Sequence, residues 1–67
     1  MICIEMNGDR KEIEDDLSIA QLLEQSEISS RFCAVELNLE IVPKDEYVSR
    51  RLVSGDKLEV VTLVGGG

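Results

Sequence analysis

The residues best placed to do chemistry are the last ones, Val64-Gly65-Gly66-Gly67, which follow a strongly apolar stretch and stop at a backbone carboxylate. With glycine at about 7% of ordinary usage, three in a row at a chosen place arise by chance only about 3 times in 10,000. Glycine has no Cβ, so such a tail passes through a channel too narrow for side chains. Four extended residues reach roughly 13 Å. A terminal carboxylate has a pKa near about 3.5, so it is anionic at neutral pH and a poor acyl electrophile. It becomes reactive as a mixed anhydride with AMP, from which a sulfur nucleophile can displace the nucleotide and leave a thiocarboxylate. A frayed end is the plain alternative reading.

None of the activating machinery is visible in the chain itself. It has no histidine, no phosphate-binding glycine loop followed by lysine, and no nucleophile and base related by spacing. Its carboxylates are dispersed through turns and polar faces. With 67 residues it forms one domain, residues 1–67, with 64–67 as a flexible tail and little room for a deep catalytic cavity. The expected role is that of a substrate of other enzymes, with no catalytic residues and no cofactor or metal of its own.

Charge and composition narrow the partners. Seven Lys and Arg against fourteen Asp and Glu leave a net charge of −7, which repels phosphate backbones, so no nucleic-acid partner is expected. A positively charged protein surface would instead be steered toward it. No apolar run approaches the length of about 20 residues that a membrane helix needs. The N-terminus lacks a signal peptide's basic and apolar regions, which makes the cytoplasm the expected compartment. Cys3 and Cys33 make neither a Cys-x-x-Cys pair nor, without histidine, a zinc site, and read as free thiols in strands.

The elements that must position the tail follow from periodicity. Ile2-Cys3-Ile4-Glu5-Met6 alternates with a period of two and predicts a strand, and Asn7-Gly8 predicts a tight hairpin turn. The return strand is expected over Lys11 to Glu14, with Ile13 on a charged edge. Ser18 and Gln21 have the spacing of a capping box. Leu17 precedes the cap, and Ile19, Leu22 and Leu23 form one helical stripe. Cys33 to Asn38 alternates again. Ile41-Val42 is a short apolar pair, and Pro43 to Glu46 predicts a helical turn with proline first. Tyr47, Val48, Leu52 and Val53 are expected in the core, Gly55-Asp56 at a turn, and Lys57 to Val64 in a central strand.

A hairpin, one helix, further strands and a last apolar strand predict an α+β fold of the β-grasp (ubiquitin-like) type, a mixed sheet with the helix on one face. The first and last strands are expected parallel and adjacent, so the tail leaves beside the Asn7-Gly8 turn. With Leu58 and Val60 inward, Val61 and Leu63 point outward beside Cys3, Glu5, Ala34, Glu36 and Glu59, forming an apolar partner-docking patch fringed by carboxylates.

Along essentially its whole length the chain resembles the ThiS family, small sulfur-carrier proteins of thiamine biosynthesis. The resemblance rests on an ordered set: the first strand into Asn7-Gly8, Leu22-Leu23, Val35 through Asn38, Ile41-Val42-Pro43-Lys44 with Tyr47, Gly55-Asp56, the last apolar strand and terminal Gly66-Gly67. It implies that a ubiquitin-activating-type adenylyltransferase using ATP and magnesium adenylates Gly67. A sulfur-donating enzyme then supplies the sulfur, and the resulting thiocarboxylate delivers it to thiazole synthase. Gly67 would bear the acyl group and Gly66 the slim approach. Gly65 is one glycine beyond the family's pair. A molybdopterin-synthase small-subunit type of carrier, a ubiquitin-like modifier and a purely structural β-grasp module are the alternatives, the first disfavoured by length.

Overall fold

The alternation at the start of the chain produces strand β1 (Ile2–Met6), and Asn7 and Gly8 turn it back at φ of 51° and 84°. Two positive φ angles are what a type I′ hairpin requires. This computed structural model describes residues 1–63; the expected tail at 64–67 lies outside the described residues. Strand β2 (Asp9–Ile13) starts earlier than the expected Lys11, because a two-residue turn lets Asp9 pair directly with Met6, and it ends where Ile13 faces Ile2. Ile13 is buried while the rest of β2 is exposed and charged, as an edge strand should be. The Asn7 side chain also clamps a distant strand: its Oδ1 accepts from the Val60 amide at 2.7 Å and its Nδ2 donates to the Val60 carbonyl at 3.1 Å.

Helix α1 (Ile19–Gln25) begins where the capping box predicts. Ser18 Oγ accepts from the Gln21 amide at 3.1 Å, and Gln21 Oε1 accepts from the Ser18 amide at 2.9 Å. Its stripe of Ile19, Leu22 and Leu23 is buried with Leu17 in one cluster, which also contains Ile4, Cys33, Val35, Leu37, Leu58 and Val60 from the sheet. A single helix therefore covers one sheet face.

Strands β3 (Cys33–Leu37), β4 (Glu40–Ile41) and β5 (Lys57–Thr62) complete a five-stranded sheet in the order β2-β1-β5-β3-β4. β5 runs parallel to β1 and antiparallel to β3, and the remaining pairs are antiparallel. The first and last strands thus lie side by side, as their apolar patterns predict.

The stretch between β3 and β5 departs from expectation in three ways. Asn38 and Leu39 form a second tight turn with φ of 51° and 72°, between Leu37 and Glu40 in direct pairing. A leucine in the left-handed region costs about 1–2 kcal/mol. Pro43 does not begin the short 3-10 turn at Lys44–Glu46 but caps it, with ψ at 146° and its carbonyl accepting from the Glu46 amide. Tyr47 and Leu52 are buried as expected, but Val48 and Val53 are exposed by 72% and 60%. Each follows directly on a buried residue. A helical turn or an extended segment rotates successive side chains to different sides, so neither neighbour can share the inward direction.

Asp56 supports the turn at Gly55, whose φ is 90°. Its Oδ2 accepts from the Val53 amide at 2.8 Å and its Oδ1 from Asn38 Nδ2 at 3.0 Å, while Asn38 Oδ1 accepts from the Lys57 amide at 2.9 Å. The buried carboxylate thereby ties the β3–β4 turn to the start of β5.

Both cysteines are free thiols, Cys33 buried and Cys3 partly so. Burial pushes the Cys33 thiol above its ordinary 9.0, against a lowering by Lys44. Burial likewise raises the Tyr47 hydroxyl above 10.0, helped by Cys33 and opposed by a hydrogen bond at the Val35 backbone. A raised folded-state pKa means that the native protein holds the proton more tightly than the unfolded chain. The stabilisation is complete below the ordinary values and is lost as pH rises through the folded ones. Thermal melts are expected to show Tm falling above pH 9.0, with a shallower decline in Cys33→Ala; equal slopes would assign the loss to other groups.

Candidate functional site

The parallel pairing of β5 with β1 carries the end of β5 to the same end of the sheet as the Asn7-Gly8 turn, where the tail is expected to leave. Cys33 pairs with Thr62, and one step further the Leu63 amide donates to the Phe32 carbonyl at 2.6 Å. The ladder thus holds the strand up to the last described residue. Beside that exit the Arg31 guanidinium lies 5.6 Å from the centre of the half-exposed Phe32 ring, and Lys44 Nζ donates to the Arg31 carbonyl at 2.9 Å. Gly65, Gly66 and Gly67, the expected reactive end, lie outside the described residues.

The outer face of the sheet has the parity that the alternation predicts. Leu58 and Val60 are buried, whereas Val61 and Leu63 are exposed by 58% and 49%. Val61 stands opposite Ala34, and Glu59 stands opposite Glu36. Together with Val35 and Ile41 they line a shallow groove of about 100 Å³. That volume is well below the roughly 300–1,000 Å³ of small-molecule pockets.

Not every expected member of the patch is in the groove. Leu63 lies beyond it, at the tail exit. Cys3 and Glu5 belong to β1, on the other side of β5, and Cys3 Sγ accepts from Arg10 Nε at 2.9 Å. Ile41, which sequence reasoning did not place here, forms a groove wall through its pairing with Glu36. The signal that could have found it is Asn38, a residue suited to the first position of a type I′ turn, although the second position lacks the usual glycine.

A larger hollow of about 400 Å³ is lined by Glu14, Asp15, Asp16, Gln21, Glu24 and Arg51 among others, and shares no residue with the groove. Among the described residues no group of three or more His, Cys, Asp or Glu is arranged to hold a metal ion. Among the described residues no helix is long and apolar enough to cross a membrane.

Comparison with known proteins bears on this arrangement. The ThiS family model matches residues 4–67. The chain is 35% identical over 65 residues to the sulfur carrier protein ThiS of Bacillus subtilis, covering 96% of this chain and 98% of that one. It is 42% identical over 62 residues to a thiazole synthase of Paramagnetospirillum magneticum, covering 92% of this chain but only 19% of that protein. The chain therefore spans about a fifth of that relative's length. The crystal structure of a thiamine biosynthesis protein (ThiS) from Geobacter metallireducens superposes with a TM-score of 0.84 at 23% identity, covering 98% of this chain and all of that one. At that identity the likeness speaks for the fold, a mixed sheet of the ubiquitin-like β-grasp type. With the family match running from β1 through the last glycine, the chain belongs to the ThiS family.

Proposed function

We propose that this protein is a sulfur carrier for formation of the thiazole moiety of thiamine, acting in the cytoplasm as a co-substrate of other enzymes. The observation that carries the reading is a family match that extends through Gly67. It is supported by the parallel pairing of β5 with β1, which brings the end of β5 to the same end of the sheet as the Asn7-Gly8 turn. A ubiquitin-activating-type adenylyltransferase, using ATP and magnesium, joins the Gly67 carboxylate to AMP and releases pyrophosphate. A sulfur-donating enzyme provides the nucleophile that displaces AMP, and the resulting thiocarboxylate passes its sulfur to thiazole synthase. Gly65 and Gly66 form the slim approach, and the domain contributes no cofactor.

Intact mass measurement after incubation with the adenylyltransferase, ATP and a sulfur source tests this directly. The expected result is the mass gain of one oxygen-to-sulfur exchange at Gly67. An unchanged mass, or adducts on target lysines, would overturn the carrier reading.

The outer face near the exit is the docking surface in this reading. Val61 and Leu63 are exposed, and burying one such side chain is worth about 1.5–3 kcal/mol. Replacing both by Ser is expected to weaken the complex with the adenylyltransferase by at least about tenfold, measured by titration calorimetry. Exposed substitutions of this kind leave stability within about 0.5 kcal/mol. Unchanged affinity would remove the two residues from the interface.

A further inference from the structure

We propose that Leu39, at the tip of the β3–β4 hairpin, is a specificity-determining contact that seats in an apolar socket ringed by lysine and arginine on the adenylyltransferase. This inference rests on the carrier reading above.

Three observations converge on it. The first is an unrewarded conformation: Leu39 is held at φ 72° and its side chain is 90% exposed. Glycine or asparagine would sit at this position with less strain. Packing inside the domain does not compensate for a leucine there, so the compensation is sought outside it. The second is continuity. Ile41, two residues on, is 77% exposed and walls the groove that Val61 also lines. The hairpin tip lies next to this groove, level with the start of β5 and at the end of the sheet away from Leu63.

The third is charge. Glu36 and Glu59 stand directly opposite each other across β3 and β5 in that groove, an arrangement that disfavours the isolated sheet. Neither forms an ion pair among the described residues. A rim of positive charge on the partner would relieve the repulsion. The adenylyltransferase must also attract an anionic nucleotide and an anionic tail, and the chain's own net charge is −7. Thiazole synthase and a second copy of this chain are the other possible occupants.

The test combines affinity and stability. Leu39→Gly and Leu39→Asn are compared with the parent by titration against the adenylyltransferase and against thiazole synthase, by thermal melting and by size-exclusion chromatography. Both variants are expected to bind the adenylyltransferase at least fivefold more weakly. Their Tm should be unchanged or higher, by up to about 8 °C. Leu39→Met, equally apolar and equally strained, should keep the parent affinity. Glu36→Gln with Glu59→Gln should slow association and flatten its salt dependence.

An affinity loss under fivefold, a fall in Tm, weakening confined to thiazole synthase, or a changed oligomeric state with unchanged enzyme affinity would each overturn the proposal. Failure of the carrier reading is separately visible: the parent chain would then gain no sulfur at all. If the parent gains sulfur and Leu39→Gly binds normally, only this inference falls.

Discussion

Deletion of Gly66 and Gly67 is expected to leave a fully folded domain that no longer accepts sulfur. Among the described residues the buried cluster runs from Ile4 to Val60, and a glycine has no side chain to contribute to a core. The shortened chain still ends in a carboxylate, now on Gly65, but that group lies roughly 7 Å short of its former reach. Misplacement of a reacting group by about 1 Å already costs about 100-fold in rate, so acyl-adenylate formation should fall by more than that. Thermal melts of the truncated and parent chains should coincide, while intact mass shows sulfur incorporated into the parent alone. Sulfur uptake by the truncated chain at the parent rate would contradict the assignment of Gly67. A chain amidated at Gly67 is expected to fail in the same way, since it lacks the oxygen that attacks the nucleotide.

Leu22→Ala should have the opposite character, with the reactive end untouched and the fold failing. Leu22 is fully buried in the helix stripe, and such truncations cost about 2–5 kcal/mol through lost transfer energy and the cavity left behind. At about 0.05–0.15 kcal/mol per residue, a chain of this length has only about 3–10 kcal/mol in total. Tm is expected to fall by more than about 10 °C, followed by circular dichroism, and urea denaturation should give a matching shift in midpoint. A fall of only a few degrees would mean that the helix closes over the gap. The contrast with Leu39 is informative, because identical side chains are predicted to have opposite effects on stability. One is surrounded by the core and the other by solvent.

Much of this architecture is legible because it rests on local interactions. The capping box at Ser18 and Gln21 involves groups three residues apart, and the Asn7-Gly8 turn depends on two residues that tolerate positive φ. The alternation in β1, β3 and β5 decides which side chains share a face, since neighbours in a strand point to opposite sides. Hence the exposure of Val61 and Leu63 could be read directly from the burial of Leu58 and Val60. Less legible was the loop-rich stretch after β3. Tyr47 and Val48 are both apolar and adjacent, and nothing local states which one turns inward.

Composition and pattern by themselves determined the net charge, the hairpin, the capped helix and the two faces of each strand, because each depends on residue type or on neighbours a few positions apart. The tertiary structure alone decided that Ile41 joins Val61 in one groove, that Glu36 meets Glu59, that Asp56 ties the β3–β4 turn to β5, and that Leu39 is held exposed at a left-handed angle. Those features require the register between β3, β4 and β5. That register is set by packing a single core from segments far apart in the chain, which no local preference encodes.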